Sequence, residues 1–154
     1  MNNQALKEWL AHAGFDVSEP LQINGTIANA TTPLMHAARL GELDVLTTLL
    51  AQGADPCLMN ADSNGALWFA CFANSEACAL ALINAGAPLD TQNVNGATAL
   101  IYCSSAGKTP LLQRLLEAGA DTELMTLDDF TALELAANRD CLRLLKSARK
   151  VAHV

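Results

Sequence analysis

Three histidines, five cysteines and one adjacent serine pair are the side chains whose types could support acid–base, metal or nucleophilic chemistry. His12, His36 and His153 are widely separated along the chain. A metal site or an acid–base pair needs near neighbours on one element, or a fold that converges distant ones. Cys57, Cys71, Cys78, Cys103 and Cys141 form no C-x-x-C pair, and their number is odd. They therefore point neither to a dithiol redox motif nor to a disulfide framework, which a chain of this length does not need. Such cysteine usage fits a reducing compartment, and a cytoplasmic location is expected. Ser104-Ser105 lies between Cys103 and Ala106, and no G-x-S-x-G, Walker loop or G-x-G-x-x-G occurs. No catalysis, cofactor or metal is expected.

Charge narrows the partners. The formal charge is −7, with 9 basic and 16 acidic residues, which disfavours nucleic acid or an anionic membrane surface. Residues 1–138 carry 4 basic and 15 acidic groups, whereas residues 139–154 carry 5 basic and 1 acidic. That lopsidedness reads as a capping helix with cations toward its C-terminus, or else as a basic docking tail. No apolar run reaches the roughly 18 residues of a membrane helix. The start, Met1-Asn2-Asn3-Gln4, has no basic region followed by an apolar one, so no secretory signal is expected. Apolar residues make up 51% of the 154, which excludes a disordered chain, and aromatics only 5%, so small aliphatics must fill the core.

A fixed step organises these residues. Gly53, Gly86 and Gly119 are 33 apart, each followed by alanine and preceded by paired apolar residues such as Leu49-Leu50 and Leu115-Leu116. The same step links Leu34, Leu67, Leu100 and Leu133, and also Ala37, Ala70, Cys103 and Ala136. Each unit reads as two short helices and a turn. Thr32 caps the first helix with Pro33 at its first position, and Gly41 ends it. Leu43, Leu46, Leu49 and Leu50 form the expected stripe of the second helix, which Gly53 ends. One helix pair cannot bury such a stripe, but stacked neighbours can.

Thr32-Pro33-Leu34-Met35-His36-Ala37-Ala38 with Gly41, Leu49-Leu50 and Gly53-Ala54-Asp55 closely resembles the ankyrin repeat, and Asn95-Gly96-Ala97-Thr98-Ala99-Leu100 with Gly119-Ala120-Asp121 does so again. The resemblance covers residues 28 to 148. It implies an all-α solenoid of helix-turn-helix units with short β-turn fingers, folded as a single domain over 1–154. Residues 1–26 would form a degenerate cap with its helix at Ala5 to Ala13. Full repeats would span 27–59, 60–92 and 93–125, and a capping repeat 126–154. Met35, Trp68, Ile101 and Glu134 stand where the family places a histidine, and His36 is one place late, on the helix surface. Gly65-Ala66-Leu67 weakens one helix start. Six extra residues fall within Val17 to Thr31.

By its phase in the repeat, the family's binding surface of finger tips and first helices takes Arg39, Leu40, Asp62, Asn64, Trp68 and Phe72. Asn95, Phe130 and Arg139 extend it. Trp68 and Phe72 share a helical face, and Leu40 is expected beside them. The implied function is non-catalytic binding of a protein partner with some basic surface, by a monomer, through its concave face. A dedicated inhibitor or immunity-type protein, blocking one enzyme or toxin, is the alternative. A thiol-dependent redox role would use Cys57 or Cys141, the two cysteines expected to be exposed. Cys71, Cys78 and Cys103 read as small buried apolar residues.

Overall fold

The computed structural model describes residues 1–152, so His153 lies outside the described part. Two compact units divide the chain, Met1–Ala87 and residues 88 onward. In the first, α1 (Asn3–Ala13) precedes α2 (Pro33–Leu40), α3 (Leu43–Ala51), α4 (Ala66–Phe72) and α5 (Glu76–Asn84). In the second lie α6 (Ala99–Ser105), α7 (Thr109–Ala118) and α8 (Arg139–Ala152). Within the first unit α2 packs on α3 and α4, α4 packs on α5, and α3 packs on α5. First helices thus stack on first helices and second on second, as a repeat array requires. In the second unit α7 packs against α6 and α8.

Local chemistry sets the helix limits. Thr32 and Thr98 each accept a hydrogen bond on Oγ1 from the amide three residues on, at 3.2 and 3.1 Å. Gly65 offers no such cap, yet α4 begins directly after it. Burial of Leu67, Phe69 and Ala70 compensates for the missing oxygen. The buried stripe of α3 is Val45, Leu46 and Leu49. Leu43 is exposed, because it sits in the first turn on the outer side, and Leu50 is only half-buried.

Four fingers repeat with the same step. The amides of Ile27, Asn60, Asn93 and Thr126 donate to the carbonyls of Thr31, Asn64, Ala97 and Phe130 at 2.9–3.0 Å. The fourth residue of each is left-handed: Ala30 (φ 56°), Ser63 (φ 62°), Gly96 (φ 76°) and Asp129 (φ 66°). In the last three fingers the first residue also supplies a side-chain oxygen. Asn60 Oδ1 accepts from the amides of Asp62 and Asn64, Asn93 Oδ1 from those of Asn95 and Ala97, and Thr126 Oγ1 from that of Phe130. Ile27 has no such oxygen, and its finger makes a different turn with Asn29 also left-handed. The six extra residues precede this finger rather than enlarge it. Asp16 to Ile27 is 11 positions, against 5 from Asp55 to Asn60 and 5 from Asp121 to Thr126.

The final repeat departs from two helices. Residues 132–135 form only a turn. Thr131 and Glu134 make a reciprocal capping pair, each accepting from the other's amide. The ladder then stops, because the amide of Ala137 donates to the Ser104 carbonyl at 3.0 Å instead of continuing it. Ser104 itself is in the last turn of α6 rather than in the connecting turn, and its buried hydroxyl donates to the Ala132 carbonyl at 2.5 Å. Cys141 is fully buried, contrary to the exposure expected for it. Its amide is capped by Asn138 and its sulfur lies 3.4 Å from Thr109 Oγ1 on α7.

Gly96 and Gly119 separate two costs of a side chain. Both have positive φ, but a Cβ on Gly96 would stand 2.9 Å from the Leu127 amide, whereas one on Gly119 meets nothing within 4 Å. Gly119→Ala should lose about 1–2 kcal/mol from backbone conformation alone. Gly96→Ala should lose at least about 1 kcal/mol more, from the clash. Urea unfolding of both variants checks the difference, and equal losses would exclude a close finger-to-finger approach.

Candidate functional site

The candidate site lies entirely in the first unit. Two fingers (residues 27–31 and 60–64) form its lip, and α2 and α4 its floor. The Ala61 amide donates to the Asn29 carbonyl at 3.0 Å, and Asn29 Nδ2 donates to Asp62 Oδ2 at 3.1 Å. These two rungs hold the fingers side by side. Below them is a groove of about 530 Å³ whose lining includes Arg39, Asp62, Asn64, Trp68 and Phe72.

Aromatic stacking shapes the floor. Trp68 and Phe72, one helical turn apart, stack at 5.6 Å with an interplanar angle of 14°. Phe69 meets Trp68 edge-on at 5.3 Å and is buried. The Arg39 guanidinium lies 6.0 Å from the Phe72 ring centre, within the range of a cation–π contact. Trp68 is half-buried and Phe72 is 46% exposed. Met35 and Ile101, at the same phase as Trp68, are buried. An aliphatic side chain at that position is absorbed by the core.

Five of the nine candidate residues therefore share one groove. Leu40 does not line it; it stands 53% exposed at the end of α2, where Arg39 takes the place beside Phe72. The other three belong to the second unit. Asn95 occupies a finger tip, and its carbonyl accepts from the Leu127 amide at 3.0 Å. Phe130 is exposed at the close of the last finger. Arg139 opens α8 and, with Arg143 and Lys146, lines a separate basic recess.

His36 is not a plain surface residue. Trp9 and Phe15 pack on its ring at 5.5 and 6.1 Å, and Trp9 Nε1 donates to Glu42 at 2.5 Å. Desolvation by this packing, followed by the nearby Arg39 charge, holds the imidazole below its ordinary value, with Glu42 opposing. His36 also lines the groove. Trp9 and Phe15 belong to the degenerate N-terminal segment, and their packing on His36 is visible only in the tertiary structure. Cys57 is exposed, but desolvation and the Asp55 carboxylate raise its thiol, which lowers the thiolate fraction redox chemistry needs. Among the described residues no three His, Cys, Asp or Glu side chains are grouped as metal ligands, and no helix is long and apolar enough to cross a membrane.

A family model described as ankyrin repeats (3 copies) matches residues 1–93 and 67–153. The chain belongs to the ankyrin repeat family. Ankyrin repeats are generally protein-interaction modules and typically non-enzymatic. The chain is 33% identical over 125 residues to ankyrin repeat protein nuc-2 of Neurospora crassa, covering 77% of this chain and 11% of that one. It is 37% identical over 107 residues to Protein PhlB of Serratia liquefaciens, 69% of this chain and 47% of that one. With the ankyrin repeat and KH domain-containing protein mask-1 of Caenorhabditis elegans it shares 36% over 97 residues, 60% of this chain and 4% of that one. The chain thus spans less than half the length of each of these three relatives.

The depressed imidazole has a pH consequence. The unfolded chain binds a proton on His36 near the ordinary value of 6.5, and the folded chain only below it. The stability this confers is present above pH 6.5 and is lost as pH falls through the lower folded value. The urea midpoint should therefore drop between pH 7.5 and pH 5.5, and drop less in His36→Gln. An identical drop in both proteins would remove His36 from the account.

Proposed function

We propose that this ankyrin array is a non-catalytic binding module that seats a protein partner in the groove between its first two full fingers and α2 and α4. The carrying observation is the Trp68–Phe72 stack, left partly open on a floor whose neighbours are buried. Large aromatic rings beside arginine have the composition of an interface hot spot. Finger hydrogen bonds hold the lip in place before a partner arrives, which reduces the ordering cost of binding. The first unit carries two basic and eight acidic residues, so the favoured partner presents a basic surface. In this reading the protein acts as a monomer in the cytoplasm. Asn95, Phe130 and Arg139 are secondary contact positions.

Affinity capture from native extract with a Trp68→Ala/Phe72→Ala variant tests this directly. Circular dichroism and a urea midpoint establish that the variant is folded. The expected outcome is one partner held by wild type and reduced at least tenfold with the variant, as loss of two hot-spot rings implies. Equal recovery would move the site away from the groove, to residues 17–26 or the basic face of α8.

A further inference from the structure

The groove is electrically bipolar, and its two charges stand at opposite ends of α4. At the finger end, Asp62 is fixed by the Asn29 amide at 3.1 Å. Among the described residues no lysine or arginine lies within ion-pair distance of it. At the far end, the Arg39 guanidinium lies over the Phe72 ring, 6.0 Å from its centre, and no carboxylate among the described residues pairs with it. Between the two ends run the stacked rings of Trp68 and Phe72. From Gly65 to Phe72 the helix rises about 10 Å.

We infer that the groove takes an extended partner segment carrying a lysine or arginine and, four residues away, an aspartate or glutamate, with an apolar side chain midway between them on the Trp68 ring. The spacing follows from two properties of an extended chain: it advances about 3.3 Å per residue, and its side chains alternate between two faces. Positions one, three and five therefore share a face over about 13 Å, which spans the helix and reaches the charges just beyond its ends. The cation sits beside Asp62 and the carboxylate beside Arg39. A segment with two cations would place one against Arg39, and one with two carboxylates would place one against Asp62. Like charges facing each other across a docking surface are how such sites reject wrong partners. This inference rests on the groove being the partner site, and it adds the selection rule of that site.

Four short acetylated, amidated peptides serve as probes: Gly-Lys-Ala-Leu-Ala-Glu-Gly, its Lys→Gln form, its Glu→Gln form, and the form with both changes. The full-length protein, labelled with nitrogen-15, is titrated at millimolar peptide and low salt while the Trp68 indole resonance is followed. The Lys/Glu peptide should bind roughly two- to fivefold tighter than either singly neutralised one, the range of an exposed ion pair. In Asp62→Asn the advantage of the peptide lysine should vanish while that of the glutamate stays. In Arg39→Gln the reverse should hold. Both changes are at exposed positions, and the asparagine retains an oxygen for Asn29.

Charge preferences unchanged in the two variants would overturn the inference, as would four peptides that leave the Trp68 resonance unmoved. If that happens while Trp68→Ala/Phe72→Ala still loses its captured partner, the groove stands as the binding site and only the bipolar rule falls. If capture is also unaffected, both fall.

Discussion

One backbone hydrogen bond recurs at residues 27, 60, 93 and 126: the amide there donates to the carbonyl four positions on. It closes each finger and forces the fourth finger residue into the left-handed region. Because closure brings the chain back at a fixed angle, the helices α2, α4 and α6 all start two residues after their fingers end. Neighbouring fingers then meet through the Ala61 amide on the Asn29 carbonyl and the Leu127 amide on the Asn95 carbonyl. Backbone rungs of this kind depend on geometry and not on side-chain identity. That is why an alanine is tolerated at residue 30 where glycine would be less strained, and why Gly96, approached by backbone, has no room for a side chain.

The core and the site divide the residues between them. Leu34, Leu46, Leu49, Leu82, Leu100 and Leu115 are almost wholly buried, and each fills a slot that recurs through the array. With few aromatics available, alanines and cysteines complete the packing: Ala37, Ala70 and Cys103 occupy one repeated position with no exposed surface. Removing a methyl-rich side chain such as that of Leu115 would cost about 2–5 kcal/mol. The groove draws on positions that this packing leaves free to vary. Trp68 stands at a phase where Met35 and Ile101 are absorbed into the core, and only the indole is large enough to fill that slot and still present a face to the groove.

Much of this was legible in the sequence because a solenoid writes its structure as a period. The step of 33 located the helix pairs and the fingers, the Thr-Pro pair located the cap at Thr32, and a four-residue spacing put Trp68 and Phe72 on one helical face. Errors arose where a residue's fate depends on something other than its phase. Leu43 is outside and Val45 inside because the buried stripe of α3 runs through Val45, Leu46 and Leu49, and Leu43 opens the helix on its outer side. Cys141 is buried because the last repeat is foreshortened and α8 turns that face toward Thr109. His36 is clamped by Trp9 and Phe15 from a segment whose repeat signal has faded. Leu40 is not beside Phe72 because the residue at the phase of Phe72 one repeat earlier is Arg39, 33 positions before it. The side-chain oxygens of Asn60, Asn93 and Thr126 share the same 33-residue phase and were readable in principle.

Hydrogen exchange of the backbone amides, resolved residue by residue, tests the finger closure on which the groove depends. The amides of Asn60, Asn93 and Thr126, with the rung amides of Ala61 and Leu127, should exchange far more slowly than unstructured amides, with protection comparable to the adjoining helices. Those of Asp128 and Val94, which make no finger-closing bond, serve as the internal reference. Closing and rung amides that exchange as fast as this reference would mean that the fingers are not held, and that no preformed groove exists for a partner to occupy.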